Sequence, residues 1–421
     1  MIRKLRAAHA LAFAGLMAMP IAVLGAKSLF VLLVLTAVLV AVSERRALLG
    51  RIPLGLAALL AALVLWGAVT ALWSVDPARS LTLALKLAAH SIAGLILLAG
   101  ALSLEGDDVW TLERALLIGT VVGAALLGIE ILGGGRINET LRGAIQGEGS
   151  QFIYSVAFNR PASVLAILAW LVAFALLRRC AWIAAFAAVA IALFLLTRLE
   201  NAASVLGVIV GAVVFAAAFA SFGRTVRVLT VLVVLGGLSA PFLATAIGDG
   251  RVLGAVGSSL SVSHLHRLFI WQFAGERSLE RPLSGWGLDG SRAMPGRSAE
   301  VGGAVDAMQP TDSTAGGGFT QTPLEALPLH PHNAMLQIWL ELGLPGVLIA
   351  LGIVVLGLER FRRLGAGRAE AAAAAGGIAA TLVIALLSYG IWQTWWLSVL
   401  WLVGGFLAGV TRGAPGRARL P

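Results

Sequence analysis

The stretch His330-Pro-His-Asn-Ala-Met-Leu-Gln-Ile-Trp-Leu-Glu-Leu-Gly-Leu-Pro-Gly346 joins a long polar segment to an apolar run. Pro331 disfavours helix before it, and Asn333 suits an N-cap because its side-chain oxygen can accept from a first-turn N–H. The spacing predicts a helix from Asn333 to about Leu342, interrupted by Gly343, Pro345 and Gly346. Asn333, Gln337 and Glu341 recur at four-residue intervals and share one face. A helix entering a membrane accounts for the cap and for an anchoring Trp339. It does not account for a polar stripe headed by His332.

Outward from this stretch the chain is apolar. Of 421 residues 59% are hydrophobic and 12% charged, and the 50 glycines suit close packing of helices in lipid. Apolar runs long enough to cross a ~30 Å hydrocarbon layer recur along the chain. Open sheet edges cannot sit in lipid, so the class is an all-α polytopic membrane protein. Twelve spans are expected, at 8–25, 28–43, 52–73, 82–102, 114–132, 155–177, 180–197, 201–221, 227–247, 333–357, 372–390 and 394–410. The first follows Arg3, Lys4 and Arg6 and resembles a signal peptide, with Val23-Leu-Gly-Ala26 as a cleavage-like site. The second span follows at once, so the start reads as uncleaved.

The formal charge of +10 raises the question of nucleic acid, and its distribution answers it. With both termini inside, the inner segments carry Arg3, Lys4, Arg6, Arg45, Arg46, Arg51, Arg114, Arg178, Arg179, Arg224 and Arg227. They also carry Arg360, Arg362, Arg363, Arg368, Arg412, Arg417 and Arg419, more than half of the 31 basic residues. This is the positive-inside pattern, so the charge orients the chain and no nucleic-acid partner is expected. The single cysteine, Cys180, excludes an intrachain disulfide and a cysteine-rich metal site.

Three regions result: nine spans within 1–247, an outer loop over 248–332, and three spans with a tail over 333–421. A smaller outer segment, 133–154, lies inside the first region. In the long loop, His264-Leu-His-Arg-Leu-Phe-Ile-Trp-Gln-Phe273 reads as an amphipathic helix with Arg267 and Trp271 one turn apart. Residues 290–328 are rich in Gly, Ser, Thr and Pro and read as a mobile flap or a partly disordered stretch.

Isolated ionisable residues gather on the outer face. Arg160 interrupts the sixth span, Arg198 and Glu200 lie in the turn between spans seven and eight, and Arg267, His332 and Glu341 lie in and after the loop. Each arginine alone could be snorkelling to the interface, but together they suggest a site. Guanidinium forks suit a pyrophosphate, and a histidine can take a proton from a hydroxyl. No phosphate-binding Gly-rich loop with Lys-Ser/Thr, no His-Glu-x-x-His helix and no Gly-x-Ser-x-Gly elbow occurs. Neither a cofactor nor a metal is expected.

The 330–346 string resembles the signature of the bacterial O-antigen ligase and polymerase superfamily. Arg267-Leu-Phe-Ile-Trp271 and Arg281-Pro-Leu-Ser-Gly-Trp-Gly287 resemble its arginine-tryptophan helix and Gly-Trp-Gly turn. About twelve spans with a large loop before the last three resemble its layout. The resemblance implies inverting, metal-independent glycosyl transfer on the periplasmic face of the bacterial inner membrane. The implied donor is a glycan on undecaprenyl pyrophosphate; the acceptor is the lipid A core for a ligase, or a lipid-linked glycan for a polymerase.

On matching positions, the resemblance makes His332 the activating base, with Arg267 and Arg160 holding the pyrophosphate. Asn333 and Glu341 would orient the site, with His330 at its mouth and Trp271 beside Arg267. Many members carry Ser-Arg at the outer start of the eighth span; Thr197-Arg-Leu-Glu-Asn201 departs from this, leaving Arg198 displaced or changed in role. A ligase is favoured over a polymerase because one loop region holds both Arg267 and His332. A transporter is the reading from another class, since twelve spans and the breaks at Pro161 and Pro345 suit one. No internal repeat supports it, and the polar residues gather at one face instead of the midplane.

Overall fold

Asp76, Asn201 and Asn333 each start a helix in the same way, accepting a hydrogen bond from the backbone N–H three residues on. The computed structural model describes residues 6–45, 48–146, 154–199, 201–248, 250, 253–254, 257–308, 324–363 and 365–412. The helices are α1 (Ala7–Gly25), α2 (Leu29–Ser43), α3 (Leu54–Val69), α4 (Pro77–Ala101), α5 (Asp107–Leu132), α6 (Arg136–Gln146) and α7 (Tyr154–Arg178). They continue with α8 (Trp182–Thr197), α9 (Ala202–Ile247), α10 (Val262–Glu280), α11 (Gly302–Ala307), α12 (Ala334–Arg362), α13 (Arg368–Leu387) and α14 (Thr394–Arg412). Among the described residues the β structure is one isolated bridge, between Glu300 and Glu325.

Nine helical segments of the described residues are long and apolar enough to cross a membrane. Two are longer than one crossing needs. Ala7–Ser43 is two helices joined by a 3₁₀ turn at Ala26–Ser28, and α9 has 46 residues, roughly 70 Å at 1.5 Å each. Ser221 breaks α9 with φ −152° and ψ 84°. The apolar α8 has only 16 residues. Large apolar side chains such as Leu85, Ile183, Phe194 and Val213 face outward, as lipid-facing surfaces require.

Helix α7 forms the centre, its apolar stretch 89% buried against 22% for α3 and α9. It packs against α8, α9, α13, α5 and α1. Close approach of α9 and α13 depends on small residues, since a Cβ on Gly211 would lie 2.8 Å from the Gly376 carbonyl oxygen. The run Ala371–Ala375 is buried there.

The two ends of α7 differ. Its C-terminal end carries Arg178 and Arg179, both paired to the buried Glu113 of α5, with Arg178 also donating to the Val410 carbonyl of α14. Arg6 pairs with Asp108 nearby in sequence to Glu113, so the Asp107-Asp108 acids serve the start of α5. Its N-terminal end meets the start of α9, the end of α13 and the start of α14.

The segment 133–154 contains the amphipathic helix α6, held where Asn138 donates its backbone and side-chain N–H groups to Glu130. The expected 290–328 flap is folded where described: a 3₁₀ turn at Gly290–Ala293, then α11, with Ala326 and Leu327 donating to the Ala299 and Arg297 carbonyls. Its residues 309–323 lie outside the described residues, as do Arg3, Lys4, Arg46, Glu200, Arg417 and Arg419. Helix α4 begins at Pro77, five residues before the expected span, because Asp76 caps it and Pro suits its first position.

Candidate functional site

The break in α12 organises the site. Pro345 has no N–H for the Glu341 carbonyl, and Gly343 takes φ +63°. The Gly285-Trp-Gly287 turn supplies the missing donors: Trp286 N–H to Leu340 O and Gly287 N–H to Glu341 O, both 2.9 Å. Leu344 N–H donates to Pro282 O at 2.8 Å, and Trp66 Nε1 caps Leu342 O at 2.8 Å. A Cβ on Gly343 would sit 2.6 Å from the Leu283 oxygen, so two stretches that stood out separately in sequence form one joint.

Glu341 lies under this joint with no exposed surface. It accepts from Trp392 Nε1 (2.6 Å), Asp289 N–H (2.7 Å) and Gln337 Nε2 (2.9 Å). Gln337 in turn accepts from Ile391 N–H at 2.9 Å. The polar stripe on α12 therefore faces the protein interior, and Glu341 braces the joint from within. Asp289 holds Arg292 and Arg79, and burial pushes its carboxyl above the ordinary range despite both guanidiniums.

Ahead of α12 the backbone turns sharply. His332 has φ +53°, an uncommon conformation for a residue with a side chain. Trp271 Nε1 holds Pro331 O at 2.8 Å, so Trp271 fixes the turn from behind. His332 Nδ1 lies 2.6 Å from Ser388 O. A carbonyl only accepts, so Nδ1 carries the proton and Nε2 keeps its lone pair. Burial is the largest cause that lowers His332 to about 4; the Ser388 bond acts in the opposite direction. At neutral pH the ring is an uncharged base.

His330 lies beside it with the rings tilted by 54° and their centroids 4.3 Å apart. It is 5% exposed, and its nitrogens face His332 N–H and Gln393 Nε2 at 3.2 and 3.0 Å. Burial lowers it to about 3. His330 thus supports the turn from inside instead of lining a mouth. Asn333 spends its side-chain oxygen on the Leu336 N–H as the N-cap.

Arg267 reaches the same place from α10, donating to Leu387 O at 3.2 Å. Leu387 and Ser388 end α13, where helix carbonyls lack intrahelical donors and the helix dipole is negative. Burial lowers the Arg267 guanidinium's pKa, with Tyr389 opposing. Arg160 of α7 lies over the Trp395 ring at 5.8 Å, and Trp395 packs edge-on against Tyr389 at 4.6 Å. Among the described residues neither Arg267 nor Arg160 pairs with a carboxylate, unlike Arg178, Arg277, Arg292, Arg297 and Arg362. Arg198 is exposed at the end of α8, and no contact described joins it to the cluster.

Structure thus brings together His332, Arg267 and Arg160 at one end of the bundle. It adds the connection from Leu387 to Trp395, which the sequence reading passed over. Its signal was present: Tyr389 is one of two tyrosines, set among Ser388, Trp392, Gln393, Trp395 and Trp396 between two spans. No group of three or more His, Cys, Asp or Glu suited to a metal ion occurs among the described residues.

Comparison with known proteins gives the same direction. Residues 164–351 match a family described as O-antigen ligase. A protein of Rickettsia typhi named "Putative polysaccharide ligase" is 30% identical over 246 residues, 58% of this chain and 56% of that protein. One of Rickettsia prowazekii, with the same description, is 27% identical over 340 residues, 80% of this chain and 76% of the relative. A third, from Rickettsia bellii, is 28% identical over 295 residues, covering 69% and 66%. The alignments thus span between about half and three quarters of these relatives' lengths. No solved structure matches the chain. The matched range contains His332, Arg267 and the joint at Gly343, with Arg160 four residues before it, so over that range this chain resembles the O-antigen ligase family in sequence.

Proposed function

We propose that the protein is an inverting glycosyltransferase of the O-antigen ligase type. It moves a glycan from undecaprenyl pyrophosphate to a sugar hydroxyl of the lipid A core, at the periplasmic face of a bacterial inner membrane. The observation that carries this reading is the pair of carboxylate-free arginines, Arg267 and Arg160, beside a histidine whose Nδ1–H is held by Ser388 O. Such arginines suit the donor pyrophosphate, and the free Nε2 suits removal of an acceptor proton.

In the proposed step, His332 Nε2 takes the acceptor hydroxyl proton as that oxygen attacks the anomeric carbon. The bond from that carbon to the phosphate oxygen breaks on the opposite side, so configuration inverts. The electron pair leaves on undecaprenyl pyrophosphate, whose charge the two arginines neutralise. The imidazolium that forms sits at the negative end of α13, where the Ser388 carbonyl favours it. The acid proton then returns to solvent.

Twelve crossings fit this reading if the two long segments each cross twice and α8 crosses once. The terminal residues would then face the cytoplasm with the clustered arginines. The test uses purified protein in proteoliposomes, given undecaprenyl-pyrophosphate glycan with and without lipid A core, and resolves products by mass. Glycan on lipid A core supports the ligase. Lengthened lipid-linked glycan alone makes the protein a polymerase with the same site. Neither product removes the transferase reading in favour of transport.

A further inference from the structure

The reaction as written does not use Tyr389, yet it lies close enough to both arginines to feel their charge. Its phenol donates to the Asn159 carbonyl at 2.7 Å, and its oxygen lies 3.0 Å from Ser163 Oγ. Ser163 continues to Ser204 Oγ at 2.9 Å, and Asn201 Nδ2 shares the Asn159 carbonyl at 2.8 Å. Asn159 and Ser163 bracket Arg160 on α7. The Tyr389 ring meets Trp395 edge-on, and Arg160 lies over that same indole. On the other side, the two backbone carbonyls immediately before Tyr389 take Arg267 and His332. One turn therefore touches Arg267 and His332 directly and reaches Arg160 through the Trp395 ring.

Two guanidiniums facing one space repel when nothing lies between them. A carboxylate would hold them in place, but it would also neutralise the charge that a phosphate must meet. A phenol and an indole face hold cations without that cost, because they bring no full negative charge. Burial pushes the Tyr389 hydroxyl above its ordinary value, so it stays a neutral donor.

We propose that Tyr389 is a positioning residue that sets the separation of Arg160 and Arg267, so that the two guanidiniums engage both phosphates of one pyrophosphate together. The inference rests on the pyrophosphate donor of the preceding reading. It predicts a preference: a diphosphate spans both arginines, and a monophosphate reaches one at a time. The phenol should matter for the first and little for the second.

The experiment titrates full-length protein in detergent with undecaprenyl pyrophosphate and, separately, with undecaprenyl monophosphate. Tyr389→Phe keeps the ring and deletes the hydroxyl. The expected result is about tenfold weaker diphosphate binding and less than twofold change for the monophosphate, on the scale of one lost hydrogen bond. Ser163→Ala, which removes the other partner of the phenol, should shift the same ratio in the same direction, and it carries the test if Tyr389→Phe fails to fold. Unchanged diphosphate binding, or equal weakening of both ligands, overturns the positioning role. Wild-type protein that binds no undecaprenyl pyrophosphate is a different failure: it removes the pyrophosphate reading itself, and this inference with it.

Discussion

Arg267 and His332 hydrogen-bond to neighbouring carbonyls, those of Leu387 and Ser388, at the C-terminal end of α13. One residue comes from α10 and the other from the turn before α12, and the end of a third helix fixes their spacing. A helix C-terminus suits both, since its last carbonyls need donors and its dipole favours cations.

His332→Ala should abolish product while leaving protein level and thermal unfolding near wild type, because among the described residues the ring's hydrogen bonding is limited to Ser388 O. Arg267→Ala should do the same. Full activity in both variants, measured in proteoliposomes, would remove the site.

Arg267→Lys should lose far more activity than a conservative change. An ammonium keeps the charge but loses the planar fork that can hold a carbonyl and a phosphate at once. A fall of roughly tenfold or more in kcat/KM is expected, seen as a rate deficit that is larger at low donor concentration than at saturation.

The pH profile should separate a buried base from an ordinary one. His332 is held at about 4 and His330 at about 3, both lowered mainly by burial. The kcat/KM profile should therefore stay flat with respect to His332 down to about pH 5 and fall as the ring protonates near 4. A limb near 6.5 would mean a solvated ring. Stability follows the same sign: an unfolded histidine titrates near 6.5 and binds protons before the folded one. The contribution is fully present above about pH 6.5 and is lost as pH falls toward 4. Thermal unfolding across that window, with His330→Asn flattening the slope, checks it.

Glu341→Ala should damage folding more than chemistry. It strands the Trp392 indole, the Asp289 N–H and the Gln337 amide, at about 1–3 kcal/mol for each donor left buried without a partner. A thermal midpoint that stays at the wild-type value would contradict the bracing role.

Gly343→Ala tests the joint between α12 and the Gly-Trp-Gly turn. Its φ of +63° strains any side chain, and the added Cβ would meet the Leu283 carbonyl. Reduced stability with a weakened site is expected, read as the thermal midpoint and as product formed per folded molecule.

Much of the membrane architecture could be read from the chain because its causes are local. Apolar length selects helices that can cross, and Asn333 caps where its side chain suits a first turn. His332, Arg267 and Arg160 stood out for a similar reason, since an ionisable group beside an apolar run is costly and visible without neighbours. The face shared by Gln337 and Glu341 was also legible, as it follows from helical pitch.

What lay across that face was not legible. Whether Glu341 met water, substrate or protein depended on Trp392 and Asp289, which arrive from distant segments. Tyr389 carried no spacing pattern at all; its place near both Arg160 and Arg267 exists only because the N-terminal parts of α7 and α10 meet the C-terminal end of α13. Sequence by itself determined which segments are helical and apolar and which residues are chemically unusual, because those properties belong to single residues and their near neighbours. Tertiary structure alone decided which unusual residues brace the fold and which meet no carboxylate among the described residues, because burial and pairing are properties of contacts between segments far apart in the chain.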